Sequence, residues 1–216
     1  EGLVGDVAFH YGTGLGKYPN YNPSASINYK NKNFEVSANY FFNQEKSYTD
    51  LNQFRLFAKK GLFSNTMNSI QYQKTHNLKL ATTYFISNKS DIALSFNNNW
   101  NDYFDDIKSY SSITFPITTD NILSSGKFPS SSKTQLPSIG LNFSHKLDTL
   151  GSALKFSTDY LYMDKKAKSS VFSSTRSAMG LNQSDTSYTF NFPNSSKLLT
   201  SEASFLLIFQ YIQVLK

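Results

Sequence analysis

Hydrophobic and polar residues alternate one by one through most of this sequence. Apolar residues fill every second position from Phe34 to Phe42, and the positions between them are mostly polar. A period of two places successive side chains on opposite faces of an extended strand, whereas a helix needs apolar residues three or four apart. The same alternation recurs near residues 3–11, 25–30, 77–86, 92–100, 139–147 and 154–162. We therefore predict an all-β protein of seven long antiparallel strands, with an eighth, less regular strand after residue 197.

The connections between these segments alternate in length. Short polar turns are expected at residues 31–32, 87–90 and 148–151, and long stretches rich in Ser, Thr and Asn occupy residues 44–76, 101–136 and 164–197. The turn centres Asn31, Lys89 and Thr149 lie 58 and 60 positions apart, so a hairpin unit repeats. Outer-membrane barrels combine short periplasmic turns with longer extracellular loops. The pattern thus predicts a portion of an antiparallel up-and-down transmembrane β-barrel whose long stretches are extracellular loops.

Aromatic residues mark both ends of the alternating segments. Phe34 lies beside a short turn and Phe42 lies eight residues further along the same face. Eight residues of tilted strand span roughly 20 Å of membrane, close to the apolar band of such barrels. Two alternatives remain open. One is a small independent outer-membrane barrel acting as an adhesin or structural protein, since eight strands can close. The other is a soluble carbohydrate-binding β-sandwich, which explains neither the loop lengths nor the terminal aromatics.

Composition removes several other classes. The 216 residues include 19 Phe and 14 Tyr, more than a disordered chain would carry, and no Cys, which excludes disulfide scaffolds and thiolate sites. The longest apolar run, residues 205–215, is too short for a membrane helix and contains Gln210. The chain has no initiating Met and begins within an alternating segment. We therefore expect a fragment, with a partial barrel at residues 1–204 and an atypical apolar tail at residues 205–216.

Candidate chemical motifs do not point to an enzyme. The glycine-rich residues 12–17 fit neither a dinucleotide fingerprint nor a phosphate loop, and we interpret them as a hairpin connection. His10, His76 and His145 lie far apart in the sequence, and Asp105 and Asp106 are interpreted as a solvated loop pair rather than a calcium site or an acid pair. We predict no catalytic, metal or cofactor-binding residue, and the substrate-binding residues are not identified.

Basic residues contribute to a formal net charge of +6. Several of them fall in the last long stretch, at Lys165, Lys166, Lys168 and Arg176. A single-strand nucleic-acid site would interleave such residues with stacking aromatics, and this stretch does not. We interpret it as a solvated loop near acidic outer-leaflet headgroups and predict no nucleic-acid partner.

Several short motifs resemble the outer-membrane β-barrel region of Bacteroidetes-type TonB-dependent receptors (the outer membrane protein beta-barrel family). The first is the hairpin of residues 16–22 (GKYPNYN) and 27–32 (INYKNK), which is similar to the family's "Y-P-x-Y-N … N-Y-R-N" pattern. The resemblance continues to about residue 165 through the motifs at residues 39–40, 50–52, 76–80, 84–87, 145–151 and 159–160.

The resemblance implies a barrel-wall fragment of a non-catalytic nutrient receptor in the Gram-negative outer membrane. The family's barrel has 22 strands around a plug, so the chain would supply about a third of the wall. Its expected partners are outer-membrane lipid, the remainder of the barrel and the plug. The TonB energy complex would be contacted only through parts absent from this sequence, since neither a plug nor a TonB box is present. The transported ligand cannot be read from these residues, and residues 205–209 (FLLIF) depart from the family's alternation.

Overall fold

Every regular element in the described part of the chain is a β-strand. The computed structural model describes residues 2–13, 18–57, 61–115, 121–148, 152–177 and 183–206. Within these ranges no helix is long and apolar enough to cross a membrane. The strands are β1 (Gly2–Gly12), β2 (Asn20–Lys30), β3 (Phe34–Phe57), β4 (Gly61–Ser87), β5 (Ser90–Thr114), β6 (Ile122–Lys146), β7 (Ala153–Ser177) and β8 (Gln183–Leu206). The predicted all-β class is confirmed, and the eighth strand is present.

The eight strands form one antiparallel sheet in which every strand pairs with its neighbours in the sequence. Their spatial order is β1-β2-β3-β4-β5-β6-β7-β8, the up-and-down arrangement predicted from the alternation. The pairing of β4 with β5 runs from Leu62 opposite Thr114 to Ser87 opposite Ser90, with one irregularity near Phe85. Among the described residues, β1 and β8 pair on one side only, so the sheet has two free edges.

Polar side chains stabilise the short turns. The Asn31 carboxamide accepts hydrogen bonds from the backbone N–H groups of Asn33 and Phe34, both at 2.8 Å. The Ser87 hydroxyl accepts bonds from the N–H groups of Lys89 and Ser90 at 3.2 and 3.1 Å. Asn and Ser favour such turns because their short side chains satisfy backbone donors locally. Two of the short connections therefore form where the sequence predicts them.

Almost all the described residues of the long polar stretches lie in paired strands, and the prediction that these residues form loops is wrong. β3 continues to Phe57 and pairs with β4 from Gly61 onward, so the connection described as a loop over residues 44–76 is a hairpin. β3–β8 contain 24 to 27 residues each, which is about 80 Å at 3.3 Å per residue. The alternation disappears in these stretches because both faces of the strands carry polar residues.

The two faces of the sheet differ in the half that adjoins the short turns. We name the face that carries Leu80 and Phe96 the outer face and the opposite one the inner face. One outer-face row crosses seven strands through directly paired positions: Ile27, Ala38, Leu80, Phe96, Ile139, Tyr160 and Leu199. The inner face at this height is mostly polar, with Ser37, Asn39, Lys79, Ser95, Asn97, Ser138, Asn142, Ser157 and Asp159.

In the part of the chain that the structure describes, no hydrophobic core forms on either face of the sheet. Ala153 is the only buried hydrophobic residue in the described part of the chain, while Leu94 is 49% and Leu199 68% exposed. The accessible surface is 15371 Å², about one and a half times the roughly 10000 Å² expected for a compact protein of 24.4 kDa. A soluble β-sandwich buries the facing sides of two sheets. This single sheet therefore does not have the architecture of the sandwich alternative.

The end of β8 includes part of the predicted apolar tail. Phe205 and Leu206 pair with Leu154 and Ala153 and continue the strand. Residues 207–216, the rest of that tail, lie outside the described part of the chain. The glycine-rich segment of residues 12–17 also falls mainly outside it, although Gly12 is the last residue of β1.

Candidate functional site

Hydrogen-bonded polar side chains cover the inner face of β4 and β5 beyond the apolar rows. Asp105, in the middle of β5, is 6% exposed. Its Oδ1 accepts a 2.7 Å bond from the Ser69 hydroxyl, and its Oδ2 accepts bonds from Gln71 Nε2 at 3.4 Å and Tyr103 Oη at 3.3 Å. Three donors on two strands thus compensate the cost of removing one carboxylate from water.

A second hydrogen-bonded group lies next to the first, toward the short turns. Asn101 Oδ1 accepts bonds from Gln73 Nε2 and Thr75 Oγ1, each at 3.0 Å. We name the side chains of these two inner-face groups together the polar network: Ser69, Gln71, Gln73, Thr75, Asn101, Tyr103 and Asp105. Burial of Tyr103 raises the pKa of its phenol, and the neighbouring Asp105 carboxylate adds to this increase. The phenol therefore remains a neutral hydrogen-bond donor near pH 7.

Aromatic rings accompany the polar network on the inner face of β8. Tyr188, Phe190 and Phe192 occupy alternate positions, with ring centroids 6.4 and 6.1 Å apart. All three rings are exposed on this edge strand. The inner face therefore combines amide, hydroxyl and carboxylate groups with flat apolar rings. Such a surface can bind and orient a hydrated solute.

Aromatic residues also bound the apolar rows of the outer face. Near the short turns, Phe34 pairs with Tyr84. At the other end, the Tyr40 hydroxyl lies 2.7 Å from His76 Nδ1, and the His76 ring lies 4.6 Å from the Phe42 ring. We name the outer-face rows between these two levels the apolar band. Its two aromatic borders match those predicted from the sequence.

We call the border of the apolar band that lies away from the short turns the upper border. A row of basic side chains follows directly beyond it. Lys74, Asp102, Lys133 and Lys166 occupy directly paired positions on β4–β7, one outer-face step beyond His76 and Trp100. Lys168 lies in the next row. We name Lys74, Lys133, Lys166 and Lys168 the lysine row. Three of them, Lys133, Lys166 and Lys168, line a depression of about 400 Å³ together with Asp102, Tyr72, Phe104 and Pro193.

The structure separates the sequence-predicted histidines. His10 is exposed on β1, His76 contacts Tyr40 in the upper aromatic border, and His145 Nδ1 lies 2.7 Å from the Ser90 hydroxyl. Among the described residues, no three His, Asp or Glu side chains lie close enough to hold a metal ion. The three histidines therefore lie on different strands, β1, β4 and β6.

The prediction of a solvated acidic loop at Asp105 and Asp106 is wrong. Both residues lie within β5, on opposite faces. Asp105 belongs to the polar network, whereas Asp106 Oδ1 lies 3.7 Å from Lys127 Nζ on the outer face. The sequence carried one usable signal: adjacent residues in an extended strand point in opposite directions, so they cannot form one site.

The basic residues of the last long stretch are also divided between the faces. Lys165 is on the inner face of β7, while Lys166, Lys168 and Arg176 are on its outer face. The interpretation of this stretch as a loop is wrong, since all four residues lie in a paired strand. Sequence reasoning missed the lysine row because its members come from three strands separated by up to 94 positions, from Lys74 to Lys168.

No protein-family model and no curated protein sequence matches this chain. Solved structures with a similar strand arrangement include CarO of Acinetobacter baumannii, at 10% identity, with 95% of this chain and 82% of that one covered and a TM-score of 0.25. The toluene transporter TbuX of Ralstonia pickettii gives 11% identity, 94% and 78% coverage and a TM-score of 0.28. The toluene transporter TodX of Pseudomonas putida gives 9% identity, with 88% of this chain and 72% of that one covered and a TM-score of 0.21.

These neighbours are β-barrel proteins of the Gram-negative outer membrane. Their TM-scores lie below 0.5. The role of this chain is therefore argued below from its own two faces.

Proposed function

We propose that this chain forms part of the wall of an outer-membrane β-barrel that transports a hydrophilic nutrient. The observation that carries the proposal is the exposed apolar band on one face of a sheet that has no core. Lipid is the environment in which such a band is stable, because burying apolar surface is favourable by about 25 cal/mol per Å². From Ile92 to Trp100 the band spans eight residues of tilted strand, or roughly 20 Å.

The inner face supports a transport role. Its Ser, Asn and Thr side chains and the polar network provide the hydrogen-bonding surface of a water-filled passage. The solute we expect is rich in hydroxyl or amide groups, because the network presents both donors and acceptors. This role requires positioning and release of the solute, so we propose that the chain is not an enzyme.

The free edges of the sheet support a partner. In a bilayer, unpaired N–H and C=O groups have no water to bind, and each costs several kcal/mol. β1 and β8 pair on one side only among the described residues. We therefore propose that further strands of the same barrel cover both edges. The alternative of an independent eight-stranded barrel requires pairing between β1 and β8, which the described residues do not make.

A TonB-dependent receptor is the specific type that we propose. Its support is the resemblance of the residue 16–32 hairpin and the later motifs to that family. The plug, and through it the inner-membrane energy complex, would then be further partners of the whole protein. If so, uptake by intact cells should stop when the energy complex is inactivated, while uptake that persists unchanged would indicate a passive channel.

Fluorescence of the single Trp of the sequence tests the membrane proposal. Trp100 lies at the upper border of the apolar band on the outer face. In phosphatidylcholine vesicles, bromine atoms near the headgroup end of the acyl chains should quench its emission more than bromines near the chain centre. A Trp100→Phe variant supplies the background. Emission that no brominated lipid quenches would contradict the proposal, as would a protein that is monodisperse without detergent.

A further inference from the structure

The lysine row contains a charge arrangement that the fold alone does not stabilise. Lys133 and Lys166 are directly opposite each other on β6 and β7, and both side chains are exposed on the outer face. Like charges at directly paired positions destabilise a sheet. Lys168 is two residues further along the same strand and face. A local anion would convert this repulsion into attraction.

The protein supplies little of that compensation. In the described ranges, Lys166 has one ion pair, at 3.7 Å from Asp164, and Lys133 and Lys168 have none. Asp102 is directly opposite Lys133 but makes no ion pair with it. Contact with the Tyr72 hydroxyl raises the pKa of Lys74, so this ammonium also keeps its charge. Two carboxylates, Asp102 and Asp164, therefore face four ammonium groups, so the row keeps a net positive charge.

The position of the row identifies the kind of anion. It lies one outer-face step beyond His76 and Trp100, where the apolar band ends. An acyl chain against the band would bring its headgroup to this height. The depression between the lysines also has apolar walls, formed in part by Tyr72, Phe104 and Pro193. Such a site suits an amphiphile that carries both an apolar part and phosphate.

We propose that the lysine row binds the phosphate groups of a phosphorylated glycolipid in the outer leaflet of the membrane. This inference rests on the proposed function, because it requires the apolar band to face lipid. The ammonium groups would neutralise the phosphates, and the aromatic walls would contact the sugar and the first part of the acyl chains. The bound lipid would thereby fix the height of the barrel in the membrane.

Binding of a defined lipid tests the proposal. The whole protein that contains this chain is purified in maltoside micelles and titrated with diphosphorylated lipid A, and the bound lipid is counted by native mass spectrometry. The triple variant Lys133→Gln, Lys166→Gln, Lys168→Gln should bind at least about tenfold more weakly, because each lysine near an anionic surface contributes measurably. The matched control is Lys79→Gln, Lys155→Gln, Lys165→Gln, which removes the same charge from the inner face and should bind as the wild type does.

Two further measurements distinguish binding of the lipid phosphates from binding of the rest of the lipid and of free phosphate. Lipid A whose phosphates have been removed enzymatically should bind the wild type as weakly as the intact lipid binds the outer-face variant. Equal binding of both lipids, or equal losses in the two triple variants, would overturn the proposal. So would displacement of the intact lipid by sodium phosphate at an equal concentration, because the site would then be a free-anion site.

Quenching of Trp100 by brominated lipid distinguishes this proposal from the one on which it rests. If Trp100 fluorescence is quenched in every variant but the triple variant of Lys133, Lys166 and Lys168 binds lipid A as the wild type does, the lysine-row proposal is rejected. The membrane role then remains intact. Absence of quenching would reject the membrane role itself. Heat-modifiable migration in gels verifies that each variant is folded.

Discussion

At the scale of single residues, neighbours in the sequence have opposite environments. Asp105 is buried with three donors around it, whereas Asp106 is on the other face with one lysine at 3.7 Å. Lys165 and Lys166 are both exposed but likewise lie on opposite faces of their strand. The sequence predicts that adjacent residues of a strand separate, but it does not predict which of the two meets a partner. That depends on the register with β4 and β6, which is set by distant residues.

The buried carboxylate gives the first prediction. Asp105→Ala should lower the free energy of unfolding by about 2 kcal/mol, because it leaves the buried Ser69 hydroxyl and two further donors without their acceptor. The matched control Asp106→Ala removes only a long ion pair at a partly exposed position and should cost less than about 1 kcal/mol. Guanidinium unfolding of the detergent-solubilised protein measures both values. Equal losses would mean that the network does not stabilise the sheet.

At the scale of elements, the sequence predicts the half of each strand near the short turns and not the other half. Alternation identifies residues 34–42 because one face there is apolar. Beyond Trp100, the outer face carries Asp102, Asp106 and Lys108, and the inner face carries Asn101, Tyr103 and Asp105. No alternation of apolar and polar residues remains in such a segment, although its backbone pairs with the neighbouring strands throughout. Only cross-strand hydrogen bonding extends the strand there, and that information is not local.

Protection from proteases tests the paired character of these segments. Lys127, Lys133 and Lys168 lie in strands that pair on both sides. A protease needs an extended, unpaired segment of several residues, so trypsin added to intact cells should cleave slowly at these lysines. The control is the same protein after heating in detergent, in which the same bonds should be cleaved readily. Rapid cleavage in intact cells would restore the loop interpretation.

At the scale of the whole molecule, the apolar side chains of the described residues lie on exposed faces of the sheet instead of in a core. The described chain buries one hydrophobic residue, Ala153, and in the half near the short turns it places most of its Phe, Leu and Ile side chains on the exposed outer face. The large aromatic content of a polar sequence is explained by two surfaces of different character. Alternation alone predicts this division, because a strand with one apolar face needs an apolar environment against that face only. In the described part of the chain, no second sheet packs on the apolar band.

Cysteine labelling tests the orientation of the entire sheet, because the sequence has no Cys of its own. Single substitutions at adjacent positions form matched pairs: Lys79→Cys with Leu80→Cys, and Ser138→Cys with Ile139→Cys. In membranes, a hydrophilic maleimide should label the inner-face members through the water-filled passage, while the outer-face members should react at least about tenfold more slowly in lipid. Equal labelling within a pair would contradict the assignment of the two faces.

The strictly sequential pairing of the strands has a consequence for how such a wall is built and how it evolves. Each strand after the first pairs with the one synthesised just before it. Assembly can therefore proceed by adding each new hairpin to the edge of the preceding one, without breaking any earlier strand pairing. The same property makes the hairpin a unit of inheritance. Duplicating or deleting one hairpin would change the circumference of the wall and the width of its passage, while every remaining register stays as it is.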